Sequence, residues 1–171
     1  MDGLRHYIGK LQREMLTKWK RRVAVGDLLT DRWDNAKAMG WGEGTSCYDN
    51  VLVLGDVRIG KNTWIGPNVV LDGSAPGGLV IGDYCSISAG VQIYTHHTVA
   101  WATSMGKAEV VRKATRIGSG VYIGPNSVIQ MGVTIGDRVV IGAMSFVNRD
   151  VPDDARAWGC PAKMSPLSGH I

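Results

Sequence analysis

The sequence is short of aromatic side chains and of cysteine. Phenylalanine occurs once among 171 residues, and aromatic residues make up 7% of the chain. A core with so little aromatic volume must be filled by Ile, Val and smaller side chains, which suits a narrow, repetitive interior. The three cysteines, Cys47, Cys85 and Cys160, are odd in number and far apart. They argue against a disulfide-stapled fold and favour a reduced, cytoplasmic protein.

The chain also lacks membrane-spanning apolar runs, a secretory signal pattern and any broad excess of charge. The net charge is +4, and residues 1–25 hold seven Lys or Arg against two acidic residues, so the remainder is nearly balanced. We therefore expect no nucleic-acid partner. Within this basic segment an apolar stripe at helical spacing predicts an amphipathic helix. It would pack on the protein or on a second copy, with weak membrane-surface contact as the less favoured role. The stripe consists of Leu4, Ile8, Leu11, Met15, Trp19 and Val23.

What the chain does contain is 23 glycines and a six-residue period. From Val53 an aliphatic residue recurs at every sixth position, with two interruptions, and a second inward candidate stands two positions earlier. Residues two apart on a strand share a face, so both sets predict one core. The period predicts an all-β solenoid, a parallel β-helix over residues 51–152, with a helix and capping segment over 1–50 and a tail over 153–171. The recurring positions are Val53, Ile59, Ile65, Leu71, Ile81, Ile87, Ile93, Ile117, Ile123, Ile129, Ile135, Ile141 and Val147.

One edge of the predicted prism differs from the other two. We call each six-residue repeat a hexad and the residue after its aliphatic position a corner. If three hexads make one coil, every third corner lies on the same edge of a triangular prism. Two edges have glycine at most of their corners, whereas the third has none. Both insertions in the repeat leave from this edge. The insertion after Leu71 adds four residues, and the one after Ile93 adds eighteen. The longer one predicts an external loop over 94–114. One explanation for this clustering is that polar corner residues are ordinary surface residues at the place where loops leave the solenoid. The favoured explanation is a functional site at this edge. The corner residues are Leu54, Asp72, Tyr94, Gln130 and Asn148.

The segment TRIGSGVYIGPNSVIQMGVTIGDRVVIGAMSFVNRDVP, followed by GCPAK, resembles the hexapeptide-repeat acyltransferases. That family includes the galactoside, maltose and xenobiotic acetyltransferases and sugar acetyltransferases of surface-polysaccharide synthesis. The match runs roughly from Val51 to Lys163. The resemblance implies a left-handed triangular β-helix, a homotrimer, and acetyl transfer from acetyl-CoA to a sugar hydroxyl or amine, with O-acetylation favoured.

Residues 93–101 read IYTHHTVAW and bring two histidines to the start of the long loop. A metal site is not expected, because the other histidines, His6 and His170, lie near the termini and a zinc site needs three or four ligands. Polar surface residues are one alternative. Neutral imidazole is also suited to general-base catalysis near neutral pH. The resemblance implies a catalytic histidine at the base of the large loop, which favours His96. His97 is the fallback, because the family's usual proline after the histidine is missing.

The expected mechanism is direct transfer without an acyl-enzyme, since Cys85 occupies an inward position and Cys47 is a poor candidate nucleophile. Two alternatives remain: acyl transfer to a non-sugar small molecule such as an antibiotic or amino acid, and a non-catalytic β-helical assembly module. The same edge offers acceptor-binding candidates, namely Asp72, Ser74, Tyr94 and Trp101. The resemblance implies CoA contacts at Gly124, Gly142, Ala143, Ser145, Asn148, Arg149, Pro161, Ala162 and Lys163.

Overall fold

The computed structural model describes residues 2–167. His170 and the end of the predicted tail lie outside this range. Most of the chain winds as a parallel β-solenoid whose short strands stack into three flat sides. Side 1 contains β1 (Ser46–Cys47), β4 (Trp64–Ile65), β7 (Ser86–Ile87), β12 (Tyr122–Ile123), β15 (Val140–Ile141) and β17 (Ala155–Trp158). Side 2 contains β2 (Leu52–Gly55), β5 (Val70–Gly73), β8 (Gln92–Ile93), β13 (Val128–Ile129) and β16 (Phe146–Val147). Side 3 contains β3 (Val57–Ile59), β6 (Leu79–Ile81), β11 (Thr115–Ile117) and β14 (Thr134–Ile135).

The hexad residues form ladders through the core. On side 1, Ile87 pairs in register with Ile65 below and Ile123 above, so identical side chains stack at the inter-strand spacing of about 4.8 Å. These three residues are fully buried. Inward hydroxyls are also satisfied: Thr63 Oγ1 donates to Gly82 O across adjacent coils. The predicted β-solenoid with an N-terminal helix is thus confirmed, while its handedness stays a prediction from the resemblance.

Strand stacking extends past both ends of the recognised six-residue repeat, whose aliphatic positions run from Val53 to Val147. It begins with β1, whose Cys47 is six residues before Val53. At the other end Val151 bridges to Ile135, although it follows Val147 by four residues instead of six. Six residues after Val151, the buried Ala157 continues side 1. A coil that is two residues shorter therefore interrupts the six-residue spacing in the sequence, while the strands remain paired in the structure.

The long insertion after Ile93 lies outside the repeat, and its strands belong to none of the three sides. It contains β9 (His96–His97), α4 (Val99–Thr103) and β10 (Val111–Arg112). Strands β9 and β10 pair antiparallel with each other in a sheet of their own. After β17 the chain reverses once more, and β18 (Lys163–Pro166) pairs antiparallel with β17.

The N-terminal segment forms α1 (Asp2–Trp19), α2 (Gly26–Leu29) and α3 (Arg32–Ala38). Helix α1 contacts α2 and has no buried residue. Behind α3, the buried Trp41 donates from Nε1 to Val57 O and covers the open end of the first coil. A solenoid end needs such a cap, because its core would otherwise face water. Among residues 2–167, no helix is both long enough and apolar enough to cross a membrane.

Candidate active site

The glycine-free edge lies where side 2 gives way to side 3, and it carries the residues that come directly after the buried Leu71 of β5 and Ile93 of β8. Leu71 and Ile93 pair in register on side 2, so the next residues, Asp72 and Tyr94, sit one above the other. Strand β5 runs past this corner to Gly73 and then turns through residues 74–78 back to β6. This turn encloses the Asp72 side chain instead of leaving it on the surface.

Asp72 is fully buried, with 0% of its surface exposed. Its Oδ1 accepts from the Ser74 N–H at 2.9 Å. Its Oδ2 accepts from the Thr95 N–H at 2.8 Å and from Thr95 Oγ1 at 3.1 Å. The same oxygen lies 2.6 Å from His96 Nδ1. Both oxygens of the carboxylate thereby accept hydrogen bonds from protein donors, as a buried charge requires.

These contacts keep Asp72 ionised. Burial alone would raise its pKa, but the hydrogen bonds from Ser74, Thr95 and His96 outweigh burial and hold the pKa well below the ordinary aspartate range. The group beside His96 Nδ1 is therefore a carboxylate at neutral pH. A carboxylate accepts only, so Nδ1 carries a proton and donates it to Oδ2.

His96 has one nitrogen committed and one available. Its side chain is 30% exposed, whereas its Asp72 partner is completely enclosed. With the proton on Nδ1, the remaining ring nitrogen, Nε2, has its lone pair free to accept a proton. A carboxylate–imidazole arrangement of this kind orients the ring and favours an imidazolium over a neutral imidazole when a proton is offered to Nε2.

His97 is placed differently. It follows His96 on β9, so its side chain leaves the opposite face of the strand. Its Nδ1 accepts a long hydrogen bond from the Val99 N–H, 3.4 Å, at the first turn of α4. Asp72 contacts His96 and not His97. The geometry therefore favours the first of the two histidine candidates as the base.

The four acceptor-binding candidates differ in their exposure and in whether their polar groups are already hydrogen-bonded. Asp72 differs from expectation, because a fully buried carboxylate with both oxygens bonded has no surface to offer an acceptor. Ser74 is exposed in the turn beside it. Tyr94 is half-buried and its hydroxyl donates to Gln92 Oε1 at 2.7 Å, so that hydroxyl is already engaged. Trp101 is exposed on α4 within the long loop.

The residues that the resemblance connects with CoA lie at the last coils. Gly142 and Gly124 pack so tightly against the following coil that a Cβ at either position would come within 3.0 Å of it. Ser145 is different from expectation: it is buried, and its hydroxyl donates to Gly142 O and accepts from the Gly159 N–H. It holds coils together and has no group left for a ligand. Ala162 is also buried, while five candidates are exposed: Ala143, Asn148, Arg149, Pro161 and Lys163.

Trp158 is a residue that the sequence did not single out. It is exposed on β17, and with Val140, Gly142, Arg156 and Ala157 it lines a shallow cavity of about 350 Å³. Strand pairing places Lys163 directly opposite Trp158, and the Arg156 guanidinium carbon lies 5.7 Å from the centroid of the indole ring. The pattern Ala155–Arg156–Ala157–Trp158, with small residues inward and large ones outward, is the signal that identifies this face.

Within residues 2–167 no cluster of three or more His, Cys, Asp or Glu side chains is arranged to hold a metal ion.

Comparison with known proteins places this architecture in a family. Residues 114–149 match the family described as bacterial transferase hexapeptide (six repeats), and residues 56–95 match the hexapeptide repeat of succinyl-transferase. The crystal structure of the hexapeptide-repeat containing acetyltransferase VCA0836 from Vibrio cholerae superposes with a TM-score of 0.70 at 30% identity, covering 98% of this chain and 93% of that one. The chain belongs to the hexapeptide-repeat acetyltransferases.

Further members of the hexapeptide-repeat acetyltransferases resemble parts of the chain. The galactoside O-acetyltransferase of Escherichia coli is 35% identical over 117 residues, which are 67% of this chain and 47% of that protein. A dTDP-3-amino-3,6-dideoxy-α-D-galactopyranose 3-N-acetyltransferase of Aneurinibacillus thermoaerophilus is 44% identical over 57 residues, 33% of this chain and 28% of that protein. VCA0836 has also been crystallised with acetyl coenzyme A, and that structure superposes equally well, with a TM-score of 0.70. The chain spans about half the length of the first curated relatives it matches.

Proposed function

We propose that this protein transfers an acetyl group from acetyl-CoA to a hydroxyl or amine of a sugar, with His96 as the general base. The observation that carries the proposal is the 2.6 Å contact between His96 Nδ1 and the enclosed Asp72 carboxylate. Membership in the family supports acetyl transfer as the reaction. A relative crystallised with acetyl coenzyme A supports acetyl-CoA as the acetyl donor. Two relatives named as acetyltransferases of a galactoside and of a dTDP-amino sugar support a sugar as the acceptor. A role in surface-polysaccharide synthesis is part of the proposal.

His96 performs the proton transfers. Nε2 removes the proton from the acceptor hydroxyl or amine as its oxygen or nitrogen attacks the thioester carbonyl. The carbonyl π-electrons move to oxygen and give a tetrahedral intermediate. When the intermediate collapses, the C–S bond breaks and the imidazolium returns its proton to the departing CoA sulfur. The acetyl group passes directly between substrates, and the buried Cys85 and Cys47 take no part.

Asp72 acts as a positioning residue. Its negative charge lies against Nδ1 and stabilises the imidazolium that exists between the two proton transfers. Because Ser74 and Thr95 donate to the same carboxylate, the group cannot rotate away from the ring. A purely structural module has no use for an exposed imidazole held by a desolvated carboxylate, since such pairs rarely stabilise a fold. This pair therefore favours catalysis over an assembly role.

The last coils supply the surface proposed for CoA. Gly142 lines the shallow cavity beside Trp158. The indole face suits the adenine ring, and Lys163 opposite it suits a phosphate. Three candidates that the sequence connects with the later coils, Asn148, Arg149 and Pro161, are exposed near the same end.

Assembly as a homotrimer is also proposed. Side 2 presents an outward row of Leu52, Val70, Gln92, Val128 and Phe146, which alternate with the buried ladder. Leu52 is exposed and the other four are half-buried. A flat face with four apolar residues of five suits contact with a second copy, and it ends at the edge that carries His96. An acceptor bound at that edge would then lie between subunits.

The proposal is tested by CoA release from acetyl-CoA with a panel of glycosides and nucleotide sugars, comparing wild type with His96→Ala and His97→Ala. We expect turnover to fall at least about a hundredfold in His96→Ala, because general-base catalysis contributes on that order. CoA affinity, measured by calorimetry, should stay unchanged. His97→Ala is the matched control and should retain most of its activity. Absence of CoA binding and CoA release in the wild type would refute the enzyme assignment.

A further inference from the structure

The hairpin formed by β9 and β10 brings a second charged residue to the base. Arg112 pairs directly with His96 across the two strands. The next pair along, Thr95 and Lys113, is joined by a backbone hydrogen bond from Lys113 N–H to Thr95 O, 2.8 Å. Hydrogen-bonded and non-hydrogen-bonded pairs alternate in an antiparallel ribbon. His96 and Arg112 therefore occupy a non-hydrogen-bonded position, where opposing Cα atoms are about 4.5 Å apart and the side chains approach most closely.

Arg112 and His96 share one face of the hairpin, because side chains of directly opposed residues project to the same side. Arg112 is exposed, and His96 is partly exposed. The guanidinium is thus within side-chain reach of the space in front of His96 Nε2, where the acceptor hydroxyl must sit. A cation at this distance acts on whatever is bonded close to the reacting oxygen.

The positive charge of Arg112 is not neutralised within the described residues. None of the ion pairs among residues 2–167 includes it, and its side chain makes one long hydrogen bond, from Nη1 to Val110 O at 3.4 Å. The nearest carboxylate to the base, Asp72, is enclosed and fully bonded, so it is not available as a partner. The long loop adds Lys107 and Lys113 against Glu109, which leaves it positively charged.

A free arginine beside a general base would be unfavourable without a compensating anion, because it opposes the positive charge that forms on the imidazole during the reaction. An anionic group on the acceptor removes that opposition and gains a charge-assisted, bidentate contact of the kind that guanidinium makes with carboxylates and phosphates. The CoA phosphates have a separate cation in the proposed arrangement, Lys163, which belongs to the last coil on side 1.

We propose that Arg112 binds an anionic group of the acceptor, so that the enzyme selects sugars carrying a carboxylate or a phosphate near the reacting hydroxyl or amine. This inference rests on the proposed acetyltransferase function and gives its acceptor a chemical class. A uronic acid and a sugar phosphate or nucleotide sugar present the same chemistry to a guanidinium, and the two sources are separated by experiment.

The experiment measures binding of three probes to the CoA-loaded protein by calorimetry: methyl glucoside, methyl glucuronide and glucose 1-phosphate. The variants are Arg112→Gln and, as matched control, Lys113→Gln. Lys113 is the next residue on the hairpin, and its side chain leaves the opposite face and lies against Gly132, so the control removes the same charge outside the site. Circular dichroism of both variants checks that the exposed substitutions leave the fold intact.

We expect one anionic probe to bind at least about tenfold more tightly than methyl glucoside, as a charge-assisted hydrogen bond provides. Arg112→Gln should abolish this preference and leave the affinity for methyl glucoside and for CoA unchanged, while Lys113→Gln retains it. Preference for the glucuronide identifies a carboxylate source and preference for glucose 1-phosphate a phosphate source. The inference is overturned by equal binding of all three probes, by equal loss of neutral and anionic probes in Arg112→Gln, or by a loss of CoA affinity instead. Failure of CoA itself to bind would refute the proposed function separately.

Discussion

Replacing Asp72 with Asn removes one charge from the candidate site at nearly constant volume. The new amide must fit a position where Oδ2 accepts from Thr95 N–H, Thr95 Oγ1 and His96 Nδ1, and Oδ1 accepts from Ser74 N–H alone. The amide oxygen will take the side with three donors. Its NH₂ group then faces the Ser74 N–H, and His96 keeps its proton on Nδ1.

The magnitudes follow from this orientation. A hydrogen bond to a charged group contributes about 1.5–3 kcal/mol and a neutral one about 1 kcal/mol, so the imidazolium loses roughly 1–2 kcal/mol of stabilisation, or about five- to thirtyfold in kcat. The Ser74 N–H, facing another donor, loses its partner, which lowers the free energy of unfolding by about 1–3 kcal/mol. Because Asp72 has no exposed surface, the acceptor KM and the CoA affinity should change little.

Steady-state CoA release over a range of acceptor concentrations separates kcat from KM, and urea denaturation gives the unfolding free energy. Our interpretation predicts that Asp72→Asn lowers kcat and stability together, with KM retained. An increase in acceptor KM at constant kcat would contradict it and restore the sequence-based expectation that Asp72 binds the acceptor. Wild-type kcat and KM would show that the carboxylate does not assist the base.

Three further predictions concern the fold and its ionisable groups. Ile129→Ala, at a fully buried rung between Ile93 and Val147, should lower the unfolding free energy by about 2–5 kcal/mol in urea denaturation; a loss below 1 kcal/mol would contradict a close-packed ladder. Of the three cysteines, only the exposed Cys160 should react with iodoacetamide at pH 8 in the native state, because burial, aided by nearby carboxylates, raises the pKa of Cys47 to about 12; native labelling of two sites, read by mass spectrometry, would refute this. The lowered pKa of Asp72 stabilises the fold above the unfolded-state value of about 3.9 and loses that effect as pH falls towards the folded-state pKa. The stability difference between wild type and Asp72→Asn should therefore be full at pH 7 and shrink below about pH 4, and a difference independent of pH would contradict the assignment.

The six-residue period was sufficient to predict the fold, because aliphatic residues at every sixth position can all be buried in one core when the chain winds as a solenoid. The first rung at Cys47 and the later ones at Val151 and Ala157 were missed, since small residues and a shortened coil break the pattern but not the strand register. In the site, the position of His96 at the start of the loop was predictable. The burial of Asp72 was not, because a corner residue normally faces outward and only the turn that follows β5 encloses it.

The site's remaining features depend on pairings between distant strands. Arg112 lies opposite His96 because the long loop folds back as an antiparallel hairpin. Fourteen residues separate His96 from the start of β10, and no pattern in them specifies the register in which the two strands pair. Trp158 faces Lys163 for the same reason, through pairing of β17 with β18. The hydrogen bonds of Ser145 to neighbouring coils could not be predicted, because a small inward residue that makes them has the same sequence pattern as one that lets a ligand approach.

The most direct test of the central claim follows the acetyl group itself in a single turnover. Enzyme in excess is mixed with acetyl-CoA labelled in the acetyl group and with an acceptor that supports CoA release, and the label is located on CoA, protein and sugar over time. We predict that the label passes from CoA to the sugar in wild type, never accumulates on the protein, and stays on CoA in His96→Ala. Label on the protein before the sugar, or transfer at the wild-type rate in His96→Ala, would contradict direct transfer with His96 as the base.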